Sequence, residues 1–269
     1  MNILILGDIV GPSGRKALIK TLPNLIKKKK LDFVIVNGEN AADPGVGITK
    51  KNTEEFFEAG TDVITTGNHV WDQKETMEFI TSEKRLLRPE NLIKGSPGVG
   101  CGIFNSKNNK KVAVINLMGN IFMRKCEDVF EATKKFIQTV KWKTDADFII
   151  VDLHGEITSE KMAMGYFFDG KATMFVGTHT HVPTSDYRIL EKGTAYQTDI
   201  GMCGDYNSVI GMNKDNSLKK FFKDPSARKH YPALGEATIS GLMVEGDDET
   251  GLAKKVEPII VGGALESRM

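Results

Sequence analysis

Side chains that could hold divalent cations recur along this chain, each at the end of an apolar run. Asp8 follows NILILG, and Glu39 and Asn40 close VIVNGEN. Asn68 and His69 close ITTGNH, His154 closes FIIVDLH, and His179 and His181 stand in FVGTHTH. The chain has only 5 histidines, and all but His230 lie in these segments. A single histidine is more often a packing residue than a ligand. Repetition at successive strand ends, joined by carboxylates from two further strands, is hard to account for by packing and points to a metal site. A mixed nitrogen and oxygen set without thiolate suits manganese, iron or zinc. It offers more ligands than one tetrahedral ion can use. Two ions about 3.5–4 Å apart, bridged by a carboxylate, would use them all.

Such residues act together only if the elements carrying them end at one edge. Residues 2–7 form the continuous apolar run of a fully buried strand. Pro12 opens a helix in which Leu18, Leu22 and Leu25 repeat at helical spacing. Lys27 to Lys30 end it; they read as a solvated helix terminus favoured by the dipole, with a nucleic-acid patch as the alternative. A strand at 32–37, a Gly-rich loop, a helix near 50–59, a strand near 62–66 and a helix near 72–80 continue the chain. This alternation is that of a βαβαβ unit with a parallel sheet. Residues 99–105 and 111–117 read as a hairpin, followed by a helix near 127–141. A strand at 147–152, a helix near 157–167 and a strand at 172–177 restore the alternation. Strands are expected at 186–190, 194–198, 236–244 and 253–261, with a long loop and one helix over 205–233. In open α/β sheets ligands bind outside the carboxyl ends of the strands, which is where the candidate ligands lie. One α/β domain with two sheets, spanning 1–269, is the simplest account.

Composition narrows the function classes. A chain of 269 residues is long enough to bury about 73% of its unfolded surface, so neither a disulfide nor a structural metal is needed for folding. A net charge of +1 offers no bulk attraction to nucleic acid or an anionic membrane, so no stable nucleic-acid complex is expected. With 40% hydrophobic and 26% charged residues, the chain as a whole is not disordered. Cys101, Cys126 and Cys203 are far apart and odd in number, which fits small buried side chains in a reducing compartment. The N-terminal apolar run lacks a basic region before it and breaks at Gly7-Asp8, so it reads as a strand and not as a signal peptide. No run of 18 apolar residues exists, so no membrane span is expected and a cytoplasmic location is the default.

The same segments carry a family resemblance. GNH after a strand, a later isolated histidine, and GTHTH resemble the calcineurin-like metallophosphoesterases, whose usual pattern is D-x-H, GD, GNH, H and GH-x-H. This chain departs from it twice: Val10 stands where D-x-H would have its histidine, and Glu39-Asn40 stands where GD would be. Both departures are similar to those of one branch, the bacterial YmdB-like phosphodiesterases. GDIVG, GENAA, GVGIT, GNHVWD, RPEN at 88–91, INLMG, EITSEKMAMG, DGKAT, VGTHTHV, GTAYQTDIGM and SVIGM extend the resemblance from residue 3 to about 212.

The resemblance implies a four-layer α/β/β/α sandwich of two mixed sheets and two metal ions per chain, iron or manganese ahead of zinc or magnesium. Asp8, Glu39, Asn40 and His181 would hold one ion and Glu39, Asn68, His154 and His179 the other, with Glu39 bridging and Asn40 replacing the missing histidine. His69 resembles the family's general acid. The implied reaction is hydrolysis of small cyclic nucleotides, 2′,3′-cyclic, 3′,5′-cyclic or both. A metal-bridged hydroxide would attack phosphorus while an imidazole protonates the departing sugar oxygen. Two other readings remain open: a metal-dependent phosphomonoesterase or nucleotidase, and a non-catalytic nucleotide-sensing regulator. A homo-oligomer is compatible with each.

Other residues admit two readings. The Gly45–Gly47 loop is a plain turn, a lid or a phosphate cradle; it is not a P-loop, because the K-[ST] ending is absent. Trp71 either stacks a base or belongs to the core or rim. Arg88 to Asn91 and Asn116 to Gly119 either shape the pocket or serve the fold. Thr178 and Thr180 read as residues that orient the histidine loop and do no more. Asp152 is either a partner behind a ligand or a strand-end residue.

Overall fold

The computed structural model describes residues 1–268. The chain runs β1 (Asn2–Leu6), β2 (Asp8–Ile9), α1 (Gly11–Lys29), β3 (Phe33–Asn37), α2 (Lys50–Glu58), β4 (Val63–Thr65) and α3 (Thr76–Phe79). It continues through β5 (Cys101–Asn105), β6 (Lys111–Met118), α4 (Val129–Thr139), β7 (Phe148–His154), α5 (Thr158–Phe168) and β8 (Met174–Thr178). The last third holds β9 (Arg188–Ile189), β10 (Ala195–Gln197), β11 (Met202–Cys203), α6 (Lys214–Phe221), β12 (Ile239–Gly246) and β13 (Ala253–Val261).

These elements form a mixed α/β fold. One sheet has the order β13-β12-β1-β3-β4, a second β5-β6-β7-β8-β10-β9, and a two-stranded piece pairs β11 with β2. β1, β3 and β4 are parallel, as are β6, β7, β8 and β10, while β12, β13, β5 and β9 pair antiparallel. Alternation along each strand assigns its two faces. Ile3 and Ile5 of β1 join Phe33, Ile35, Val112, Val114, Phe148 and Ile150 in a core shared by the two large sheets. Leu4 and Leu6 instead meet Leu18, Leu22 and Leu25 of α1 and Phe56 of α2. Ile115, Val151 and Phe175 face outward onto Phe136 of α4 and Met164 and Phe168 of α5.

Local chemistry accounts for the helix ends. Pro12 lies in the first turn of α1, where its missing N–H costs nothing, and Lys30 closes the helix in the left-handed conformation behind Lys27, Lys28 and Lys29. Thr49 and Asn52 form a reciprocal capping box at α2.

Several expected elements differ. Asp8 does not end β1. A Cβ on Gly7 would lie 1.9 Å from the Gly201 carbonyl oxygen, so the chain is pressed against a distant loop there. It re-forms as β2 against β11, a pairing of two-residue strands that no periodic pattern could reveal. The helix expected near 72–80 shrinks to Thr76–Phe79, because the preceding backbone turns tightly, with the Asp72 N–H on the His69 carbonyl at 2.9 Å. The strand expected at 186–190 shrinks to Arg188–Ile189, with the Asp186 carboxylate accepting from the Thr198 N–H in place of a ladder bond. Cys101 and Cys126 are half-buried rather than buried, and all of Cys101, Cys126 and Cys203 are free thiols. Among the described residues no helix is long and apolar enough to cross a membrane.

Candidate metal centre

The start of β2 and the carboxyl ends of β3, β4, β7 and β8 bring the expected residues together. Each is placed by its element. Asp8 sits in β2 and is fully buried. Its Oδ2 accepts from the His179 N–H at 3.0 Å and lies 3.4 Å from His181 Nε2, while Oδ1 makes no hydrogen bond and lies 3.8 Å from His154 Nδ1. Glu39, just past β3, is also fully buried. Its Oε1 lies 3.0 Å from His154 Nε2 and accepts from Asn40 Nδ2 at 3.2 Å, and its Oε2 accepts from the His69 N–H at 3.2 Å. Gly67 permits this approach, because a Cβ there would lie 2.3 Å from Glu39 Oε2.

His154, the last residue of β7, is the centre of one group: Asn68 Oδ1, Glu39 Oε1 and His179 Nδ1 each lie 3.0 Å from its Nε2. The ligand atoms of Glu39, His154 and His179 all fall within 4.8 Å of one another. A second group gathers around His181, whose Nε2 lies 3.2 Å from Asn40 Nδ2 and 3.4 Å from Asp8 Oδ2. To offer an oxygen to a cation there, the Asn40 amide would turn by half a rotation. His69 stands apart: its Nδ1 meets Asp72 Oδ2 at 2.7 Å, so it diverges from its neighbour Asn68. His230 is exposed and joins neither group.

Every histidine of the two groups has its other ring nitrogen held by an oxygen. His154 Nδ1 meets Thr178 Oγ1 at 2.9 Å, and that hydroxyl donates to Asp152 Oδ1 at 2.8 Å. Since the threonine proton points to Asp152, His154 Nδ1 carries its own proton and donates. His181 Nδ1 donates to the Ile210 carbonyl at 2.8 Å, and His179 Nε2 lies 3.1 Å from Glu156 Oε2. Each ring therefore turns its remaining nitrogen inward, the arrangement that orients imidazole toward a metal. Asp199 ties the loop between His179 and His181 down: its Oδ2 accepts from the Thr180 N–H at 3.0 Å and from Lys161 Nζ at 2.8 Å, in a buried pair.

The electrostatics are those of a site short of positive charge. Burial pushes the Asp8 carboxyl well above its usual range. Burial would raise Glu39 too, yet the neighbouring His154 holds it low, and against the opposite effect of burial Glu39 lifts His154 above its usual range. Burial, then the charge on His154, drops His179 to about 3. Burial also lowers His181. The inward ring nitrogens, the buried carboxylates of Asp8 and Glu39 and the Asn68 amide oxygen form a mixed nitrogen and oxygen donor set that fits divalent cations.

Glu156, the Ile210 carbonyl, Asp72, Lys161 and Asp199 were not singled out from the sequence. Glu156 and Lys161 do stand in EITSEKMAMG, but nothing local says what they face. Asn116 and Asn91 serve the frame: Asn116 Oδ1 accepts from the Thr66 N–H at 3.0 Å, and Asn91 Nδ2 donates to the Met118 carbonyl at 2.7 Å. Arg88 Nη1 donates to the carbonyls of Pro89 and Glu90. Gly45 and Gly47 adopt positive φ in a tight turn.

Known proteins share this arrangement of chain. A 2′,3′-cyclic-nucleotide 2′-phosphodiesterase from Bacillus subtilis is 43% identical over 261 residues, 97% of each chain. The crystal structure of a hypothetical protein from Thermus thermophilus superposes with a TM-score of 0.89 at 35% identity, over 98% of this chain and 100% of that one. A structure described as a novel phosphatase from Mycoplasma pneumoniae superposes with a TM-score of 0.89 at 37% identity, over 97% and 93%. Residues 4–259, which include every candidate ligand, match the YmdB-like protein family, and the chain belongs to it.

Proposed function

We propose that this protein is a metal-dependent phosphodiesterase that hydrolyses small cyclic nucleotides, 2′,3′-cyclic esters first. The observation that carries the reading is the convergence of Asn68, Glu39 and His179 on His154 and of Asp8 and Asn40 on His181, with the buried Asp8 Oδ1 making no hydrogen bond. A relative 43% identical across 97% of both chains is named for that activity. The reading places the chain among the calcineurin-like metallophosphoesterases, as a single domain over 1–269 with four α/β/β/α layers, working in the cytoplasm.

The residues divide by task. Asp8, Asn40 and His181 would hold one cation, Asn68, His154 and His179 a second, and Glu39 would bridge. Iron or manganese suits them ahead of zinc or magnesium. When bound, such cations neutralise a phosphodiester's charge and make an attacking water more acidic. His69 lies beside this cluster, with Nδ1 on Asp72 at 2.7 Å. Its Nε2 is thereby left to donate a proton to the ribose oxygen as the phosphorus–oxygen bond breaks. Asp72 keeps the ring in that orientation. Water supplies the oxygen that phosphorus gains, and the ring-opened product is a nucleoside monophosphate.

The test is metal analysis of the purified protein together with a substrate panel. Two ions per chain and faster turnover of 2′,3′-cyclic nucleotides than of 3′,5′-cyclic nucleotides or phosphomonoesters are expected. Faster turnover of monoesters would replace the reading with a nucleotidase, and binding without any turnover with a nucleotide sensor.

A further inference from the structure

The backbone at Gly67 and Asn68 has two sides. On one it touches the cluster, since a Cβ on Gly67 would lie 2.3 Å from both Glu39 Oε2 and His154 Cδ2. On the other it walls a cleft of about 140 Å³ lined also by Trp71, Leu92, Ile93, Met118, Arg124 and Lys125. The cleft is thus separated from the proposed metals by a single strand-end loop. Its walls carry two cationic side chains, no carboxylate, and otherwise mainly apolar surface. Ile93 is 63% exposed, and Trp71 packs on the core with only part of its side chain, so both offer apolar surface to an occupant.

The cleft is also wired to the proton donor. Arg124 Nη1 lies 3.3 Å from Asp72 Oδ1, and Asp72 Oδ2 lies 2.7 Å from His69 Nδ1. An occupant beside Arg124 is therefore on the side of the site where the ribose oxygen would leave.

We propose that this cleft is the nucleobase subsite, in which a base stacks against Trp71 between apolar walls while Arg124 and Lys125 face its acceptor edge. The proposal rests on the phosphodiesterase reading above. A bare phosphate or sugar would leave Trp71, Leu92 and Met118 without a match. A planar heterocycle has faces for the apolar walls and acceptor nitrogens or oxygens for the cations. Stacking on an aromatic side chain tolerates any base, so the subsite favours nucleotides over base-free esters without selecting strongly among bases. Arg124 adds a planar guanidinium, which stacks as well as donates.

Two measurements on the metal-loaded full chain test this. In the first, tryptophan fluorescence excited at the red edge is titrated with adenosine 3′-monophosphate and with ribose 5-phosphate, for the parent and for Trp71→Phe. A saturable change with the nucleotide alone, lost in Trp71→Phe, is expected. A nucleotide response that survives in Trp71→Phe, or no response in the parent, overturns the proposal. In the second, kcat/KM is compared for 2′,3′-cyclic AMP and the base-free glycerol 1,2-cyclic phosphate. Ile93→Glu and Lys125→Glu change exposed positions and should leave the fold intact. Each should lower the ratio of the two kcat/KM values about tenfold or more. An unchanged ratio in both variants overturns the proposal. If the parent hydrolyses neither ester, the phosphodiesterase reading fails, and the fluorescence titration still decides whether the cleft takes a base.

Discussion

Asp152 governs His154 through one hydroxyl. Thr178 Oγ1 donates to Asp152 Oδ1 at 2.8 Å and accepts from His154 Nδ1 at 2.9 Å, so the buried carboxylate determines which imidazole nitrogen faces the cluster. Asp152 also accepts from Asn37 Nδ2 at 3.1 Å and from the Thr65 hydroxyl, so β3, β4, β7 and β8 meet on it.

This relay makes Thr178→Val informative. Valine keeps the shape and the strand propensity but leaves His154 Nδ1 and Asp152 without their shared partner. Metal affinity is expected to fall about 10–100-fold, as for other partners behind metal-bound histidines. Unfolding free energy should drop by about 1–3 kcal/mol from the unsatisfied buried groups. Metal titration of the refolded apoprotein reads the first effect and urea unfolding the second.

Glu39→Gln probes the proposed bridge. The neutral amide would leave two cations repelling each other across a buried site. Turnover is expected to fall by orders of magnitude, and metal content to fall from two ions toward one. A variant as active as the parent and equally loaded would exclude a bridging role.

Asn40 would be the weakest ligand of its group, because an amide oxygen carries no charge. Asn40→Ala should raise the metal concentration needed for half-maximal activity while one ion stays bound. An unchanged metal requirement would remove Asn40 from the ligand set.

His69→Ala separates proton donation from metal binding. A sugar oxygen leaves poorly without a proton, whereas nitrophenolate is stable as an anion. Loss of a positioned acid should cost about 10²–10⁴-fold on a cyclic nucleotide and far less on bis-nitrophenyl phosphate, with metal content near the parent's. His154→Ala and His179→Ala should instead lose metal and both activities. Equal losses of His69→Ala on the two substrates would show a structural role.

Lys161 and Asp199 form a buried ion pair at 2.8 Å, each side chain only 1% exposed. Removing one partner of such a pair typically costs about 3–5 kcal/mol, because the other charge stays buried. Lys161→Met should fall at the lower end of that range, since Asp199 keeps the Thr180 and Gly201 N–H groups. Because Thr180 lies between His179 and His181, metal affinity should weaken as well. Urea unfolding with and without added Mn²⁺ measures both.

The expected strand alternation over β1 and β3 to β8, α1, α2, α4 and α5, and the residue types at the strand ends could be read along the chain. Apolar periodicity is local and short, and a parallel sheet brings its strand ends to one edge whatever the connecting helices contain. Membership of the cluster was legible for the same reason, and so was the parting of His69 from Asn68, since adjacent side chains in a tight turn point apart. What holds the ligands was not. Glu39 meets His154 across 115 positions, and His181 is oriented by a carbonyl at Ile210 that any residue type could supply. The step of the chain at Gly7 into β2 depends on a backbone contact with Gly201, and a two-residue strand has no period to detect. Side-chain type shows what a residue can bind; only the packed chain decides which lone pair faces inward, because that is settled by partners far away in sequence.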